Sequence, residues 1–146
     1  YKGRWYLIGL NDDRKEIQHY GLDRIKSPLV SNENKRKFEM LEDFDPVRYF
    51  SNVIGVSIRK DAEPEKIILK LAKSRAVHLD NAPLHHSQNP IGEDEATKTY
   101  SFYLIPNYEL TNWILGYGSE IEVLEPESLR NEVAFQILTA KQLYSN

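Results

Sequence analysis

The sequence predicts an α+β protein: a β-hairpin, then a mixed segment of strands and helices, then a long closing helix. Three observations lead there. Two short runs rich in aromatic and branched residues sit near the start, parted by a polar turn. From residue 66 onward, β-type runs alternate with stretches whose apolar residues fall at helical spacing. The chain then ends on a segment with an apolar stripe.

The elements follow in order. Residues 4–10 (RWYLIGL) read as the first strand, and Asn11-Asp12-Asp13 as the turn after it. Residues 16–25 read as the second strand, with Ile17, Leu22 and Ile25 pointing inward, so the two make a hairpin. Gly21 marks a bulge or sharp bend. Residues 31–37 are polar and basic, a loop. Asp45-Pro46 has the form of a helix start: Asp supplies a capping carboxylate, and Pro, with no N–H to lose, takes the first position. That short helix falls in a linker at 46–60, between domains at 1–45 and 61–146.

Residues 66–71 read as a strand and 72–80 as a helix, broken by Asn81-Ala82-Pro83. Residues 84–92 and 97–106 read as strands flanking the polar turn Glu93-Asp94-Glu95. On this strand His85 and His86 point to opposite faces. Residues 108–115 carry Leu110, Trp113 and Ile114 at helical spacing, and Gly116 and Gly118 end that helix. Residues 120–124 alternate Ile121 and Val123 as a short strand. Pro126 opens a helix to about Tyr144, with Leu129, Val133, Ile137, Leu138 and Leu143 along one stripe. Strand, helix, strand, strand, helix, strand is the ferredoxin-like order, here with a C-terminal helix added.

Composition narrows the function classes. The chain has 146 residues, 40% apolar and 28% charged, which excludes disordered and collagen-like classes. It has no Cys, so disulfide scaffolds, thiol nucleophiles and Cys-based zinc sites are excluded. No apolar run approaches the roughly 20 residues that span a bilayer, and no signal peptide is visible, so a cytoplasmic protein with no membrane partner is expected. The first residue is Tyr rather than Met, and we read the chain as a piece of something longer. Net charge is -3, but unevenly placed. Residues 1–38 hold nine basic and five acidic residues, net +4; the remainder holds ten and seventeen, net -7. A polyanion would meet the N-terminal part first, unless the split is ordinary surface variation.

Motifs for catalysis are weak. There is no GxSxG, HExxH or P-loop pattern. The four His are His19, His78, His85 and His86, and no spacing brings three or four ligands together, so neither a metal nor a cofactor is expected. Binding has more support. Trp5 and Tyr6 alternate across a strand, so one faces inward and one outward, with Arg4 on the Tyr6 side. Arg24 and His19 fall on the neighbouring strand, and Lys26 continues the Arg24 face. An outward aromatic among cations suits base stacking and phosphate contact. The competing reading makes Tyr6 and Tyr20 half-buried packing residues and the cations solubility charges. Trp113 is a core residue on its helix.

Gly3-Arg4-Trp5-Tyr6-Leu7-Ile8, followed by Tyr20-Gly21-Leu22-Asp23-Arg24-Ile25, resembles the WYL domain. Pro83-Leu84-His85-His86-Ser87-Gln88, residues 113–118 and residues 120–126 resemble the extension that follows WYL domains. The likeness covers nearly the whole chain. It implies a piece of an Sm- or SH3-like small β-barrel, truncated at its N-terminus, ahead of a ferredoxin-like extension that serves dimerisation and effector binding. It also implies a sensor module of bacterial transcription regulators, several of which respond to single-stranded nucleic acid or nucleotides. Promoter DNA is then read only by a helix-turn-helix, which this sequence lacks. Tyr6 and Arg24 match ligand-facing positions; Trp5, Leu7, Leu22 and Ile25 match core positions; Asp23 orients Arg24.

Gly21 stands where many relatives carry a basic residue, which leaves His19 or Lys26 to compensate. The family's barrel begins well before Trp5, so a lone hairpin leaves open edges that pair with another chain or pack irregularly. The expectation is a non-catalytic effector module, a homodimer, binding an anionic nucleic acid or nucleotide through Arg4, Tyr6, His19, Arg24 and Lys26. The alternative is a dimerisation or scaffold module with no ligand of its own.

Overall fold

A computed structural model describes residues 1–27 and 41–145. The loop expected at 31–37 lies outside the described residues. The chain divides into two compact units, Tyr1–Tyr49 and Phe50–Asn146, and each is described by itself.

In the first unit, β1 (Tyr6–Asn11) pairs antiparallel with β2 (Glu16–Gly21), from Tyr6 opposite Gly21 to Asn11 opposite Glu16. Asn11 builds the turn. Its side-chain oxygen accepts from the N–H groups of Asp13 and Arg14, both at 3.0 Å, the local bonding that lets Asn initiate turns. The first strand starts at Tyr6 rather than Arg4. A turn precedes it, with the Arg4 N–H on the Tyr1 carbonyl at 3.0 Å and Gly3 at φ 75°.

The second strand stops at Gly21 rather than Ile25. Leu22–Arg24 winds into one 3₁₀ turn, closed by the Ile25 N–H on the Leu22 carbonyl at 3.2 Å. The face assignment that alternation gave Arg24 and Lys26 therefore does not apply. A larger correction concerns the residues expected in a core. Trp5 is 80% exposed, Leu7 53%, Leu22 47% and Ile25 45%. A two-stranded sheet has too little second layer to bury both its faces. Among the described residues no barrel closes.

The helix expected at Asp45-Pro46 is present as α1 (Pro46–Tyr49). Asp45 Oδ1 accepts from the N–H groups of Val47 at 2.8 Å and Arg48 at 3.3 Å, as an N-cap should.

The second unit holds β3 (Glu65–Ala72), α2 (Lys73–Asn81), β4 (Asn89–Glu93), β5 (Thr97–Leu104), α3 (Tyr108–Leu115), β6 (Ile121–Glu125) and α4 (Glu127–Leu143). The four strands form one antiparallel sheet in the order β4-β5-β3-β6. Ile67 faces Phe102 and Leu69 faces Tyr100 across the central pair. These residues, with Leu71, Leu104 and Val123, form the sheet side of the core. Ala76 and Leu79 of α2, Leu110 and Ile114 of α3, and Leu129 and Val133 of α4 close it. Trp113 is partly buried against this core, its ring 4.7 Å from that of Tyr117.

The sequence pattern misplaces two features here. Of the expected 84–92 strand only residues 89–92 are extended, in a strand that runs on to Glu93. Residues 84–88 are a turn held by Gln88, whose side chain accepts from the Leu84 N–H at 3.0 Å and donates to the Leu79 carbonyl at 2.9 Å. His85 and His86 therefore do not sit on opposite faces of a strand; their rings lie 4.0 Å apart. The α4 stripe is buried only at Leu129 and Val133, while Ile137, Leu138 and Leu143 are 50%, 60% and 78% exposed. The turns after Val133 find no apolar surface opposite them among the described residues.

Candidate ligand face on the hairpin

Cross-strand register sorts the hairpin side chains by face, because directly opposed residues project to the same side. Tyr6, Ile8 and Leu10 share a face with His19 and Ile17. Leu7, Gly9 and Asn11 share the other with Tyr20, Gln18 and Glu16. The second face carries a closed polar network. Asn11 Nδ2 donates to Gln18 Oε1 at 2.9 Å and to the Tyr20 hydroxyl at 3.1 Å, and Tyr20 donates to Gln18 Oε1 at 2.7 Å. These groups satisfy one another and hold the turn, so the first face is the candidate for a ligand.

The five candidate residues are placed as follows. Tyr6 and His19 lie on one face, both half-buried. Arg4 precedes the strand, and its guanidinium meets Asp23 Oδ2 at 2.5 Å. The two side chains are 51% and 44% exposed, so this surface pair adds at most about 1 kcal/mol to stability. Its effect is positional: with the Leu22 N–H on the Trp5 carbonyl at 3.0 Å, it pins residues 4–5 to the Leu22–Arg24 turn. Asp23 was expected to orient Arg24; it holds Arg4 instead. Arg24 and Lys26 are exposed. The structure thus gathers Arg4, Tyr6 and Arg24 at one end of the hairpin and adds His19 on the Tyr6 face. It records no contact that ties Lys26 to the others.

Sequence reasoning missed one neighbour of this face. The Tyr49 hydroxyl lies 3.1 Å from His19 Nε2, and the two rings meet edge to face at 5.6 Å and 86°. Phe44 packs on Tyr49 at 5.2 Å. Burial raises the Tyr49 pKa above its ordinary value. The signal was present as Phe44 and Tyr49 flanking the helix start, but nothing local says which strand they would meet.

The second unit offers less to an anion. A shallow cleft of about 200 Å³ is lined in part by Arg59, Glu63, Glu65 and Glu132, three carboxylates against one guanidinium. His85 is used structurally. Its Nε2 donates to the Ser51 carbonyl at 2.6 Å, so its Nδ1 is the acceptor for the Ser87 hydroxyl at 2.8 Å and the Ser87 N–H at 3.2 Å. Burial first, and then the neighbouring His86, push the His85 pKa below the usual value, against the opposing effect of the Ser51 bond. Among the described residues no group of three or more His, Asp or Glu is placed to hold a metal ion, and no helix is long and apolar enough to cross a membrane.

Comparison with known proteins locates both units in sequence space. The WCX domain family matches residues 63–140 and the WYL domain family matches residues 1–30. Over 132 residues the chain is 24% identical to Protein PafB of Mycobacterium bovis and of Mycobacterium tuberculosis. That alignment takes in 90% of this chain but only 38% of the length of those relatives. Proteasome accessory factor B/C (PafBC) of Arthrobacter aurescens is similar in structure at a TM-score of 0.48 and 17% identity, over 99% of this chain and 21% of that one.

Proposed function

The chain belongs to the WCX domain family, with a WYL domain segment ahead of it, and on that premise we propose that it is the effector-sensing, non-catalytic part of a bacterial transcription regulator. The effector in this reading is a single-stranded nucleic acid or a nucleotide. Arg4, Arg24 and Lys26 neutralise phosphate, His19 assists, and Tyr6 stacks on a base. Binding biases the placement of DNA-reading parts that this sequence does not contain.

The observation that carries the proposal is the Arg4–Asp23 pair, which ties the cation just ahead of β1 to the turn bearing Arg24, at the Tyr6 end of the hairpin. In the same reading the second unit is ferredoxin-like, supported by its βαββαβ succession and the order β4-β5-β3-β6. The hairpin is then a piece of an Sm- or SH3-like barrel.

The test is fluorescence anisotropy of short single-stranded DNA and RNA across a salt series, with Arg24→Ala alongside. Affinity should fall steeply with salt, and Arg24→Ala should weaken it by about 1–2 kcal/mol and flatten the slope by about one phosphate. Absence of binding at low salt would remove the nucleic-acid reading.

A second reading has its own observation. The exposed Phe135, Leu138, Leu143 and Tyr144 of α4 and the residue after it suit a dimerisation or scaffold module without a ligand. It expects a homodimer by sedimentation and no effect of Arg24→Ala beyond stability.

A further inference from the structure

We infer that the α1 segment covers the His19 side of the hairpin and competes there with the anionic ligand, an inference that rests on the ligand reading above. The contact is specific. His19 Nε2 is engaged by the Tyr49 hydroxyl at 3.1 Å, the two rings pack edge to face at 5.6 Å, and Phe44 backs Tyr49 at 5.2 Å. A hydrogen bond to the imidazole is the contact that a phosphate would make at His19. It is already made from within the chain, by Tyr49.

The segment also has the charge of a competitor. Residues 41–49 carry Glu42, Asp43 and Asp45 against Arg48, whereas residues 1–27 carry six basic and four acidic side chains, net +2. Asp45 is committed to capping α1, while Glu42 and Asp43 are exposed. Tyr49, backed by Phe44, thus engages His19 on the face that an anionic ligand would need, and the segment carrying both rings is acidic. An intramolecular competitor lowers apparent affinity by the fraction of molecules in which the face is open. Occupancy and release of α1 then become one equilibrium, which turns a ligand site into a switch.

The experiment uses the full chain and two readouts. One is anisotropy with a fluorescein-labelled oligo-dT of about ten nucleotides. The other is the rate at which diethylpyrocarbonate acylates His19, followed by mass spectrometry, which needs no nucleic acid. Tyr49→Phe removes only the hydroxyl; Phe44→Ala removes the backing ring. Both should speed His19 acylation, and Tyr49→Phe should tighten oligo-dT binding by roughly three- to tenfold, the range of one hydrogen bond. Unchanged acylation in both variants would overturn the cover. Faster acylation with unchanged or weaker binding would overturn the competition and make Tyr49 a support for the site. If no variant binds oligo-dT at low salt, the ligand reading fails and takes the competition with it, while the acylation rates still report whether α1 covers His19.

Discussion

His85 and Asn107 show how single side chains hold the start of the second unit, residues 51–57, to the rest of it. Asn107, 2% exposed, donates to the carbonyls of Ile54 at 2.8 Å and Ser57 at 2.9 Å and accepts from the Leu110 N–H at 2.9 Å. Asn107→Ala strands buried partners and should cost about 2–4 kcal/mol, read by urea unfolding. His85 gives a pH dependence of known sign. Its pKa is depressed in the folded chain, so its contribution is complete above the unfolded value of 6.5 and is lost as pH falls through the lower folded value. Thermal midpoints measured from pH 8 to 5 should therefore drop on the acid side. His85→Gln should flatten that part of the curve, and an unaltered profile in the variant would assign the drop to other groups. At this scale the sequence showed residue types but not partners. Arg4–Asp23 spans 19 positions and His19–Tyr49 spans 30, and neither follows from local periodicity. Asp23 chose Arg4 over the adjacent Arg24 because the 3₁₀ turn, unforeseen from the β-pattern, places Asp23 toward the start of β1.

Elements were legible where burial and local pattern agree. β3, α2, β5 and α3 fall close to where the apolar spacing puts them, and each contributes side chains to one core. The pattern fails where an apolar residue is not buried. In α4 the stripe predicts a uniform face, yet its buried side chains are Leu129 and Val133. Leu129→Ala should therefore cost about 2–5 kcal/mol, whereas Leu138→Gln should shift stability by no more than about 0.5 kcal/mol. Paired urea titrations decide this; equal losses would mean that the whole stripe is packed in solution. A backbone constraint acts on the loop that meets α3. Gly55 has φ 82°, and a Cβ there would lie 2.6 Å from Glu109 Cγ. Gly55→Ala should destabilise by about 1–3 kcal/mol, since it adds backbone strain and a clash with the side chain that accepts from Ser57 Oγ at 2.9 Å.

For the whole molecule, the two units differ in what can hold them folded. Every residue of the main hydrophobic core belongs to Phe50–Asn146. In Tyr1–Tyr49 the large apolar side chains Trp5, Leu7, Leu10, Leu22 and Ile25 are all exposed, and the hairpin rests on ladder bonds, the Asn11 network and the His19–Tyr49–Phe44 cluster. An isolated two-stranded sheet of this kind is marginal in water. Residues 50–146 made alone should therefore unfold cooperatively near the midpoint of the full chain, while residues 1–49 alone should show no cooperative transition by circular dichroism. A cooperative melt of 1–49, or an unfolded 50–146, would refute this division of stability. The proposed ligand face lies on the weaker unit, which gives a further consequence. A ligand that binds only the folded hairpin adds stability as RT ln(1 + [L]/Kd), so at a hundredfold excess over Kd it adds about 2.7 kcal/mol. That gain is large against a marginal unit and small against a well-packed one. Nucleic acid should therefore raise hydrogen-exchange protection in residues 6–21 and leave the β3 and β5 amides nearly unchanged, and uniform protection across both units would place the ligand elsewhere.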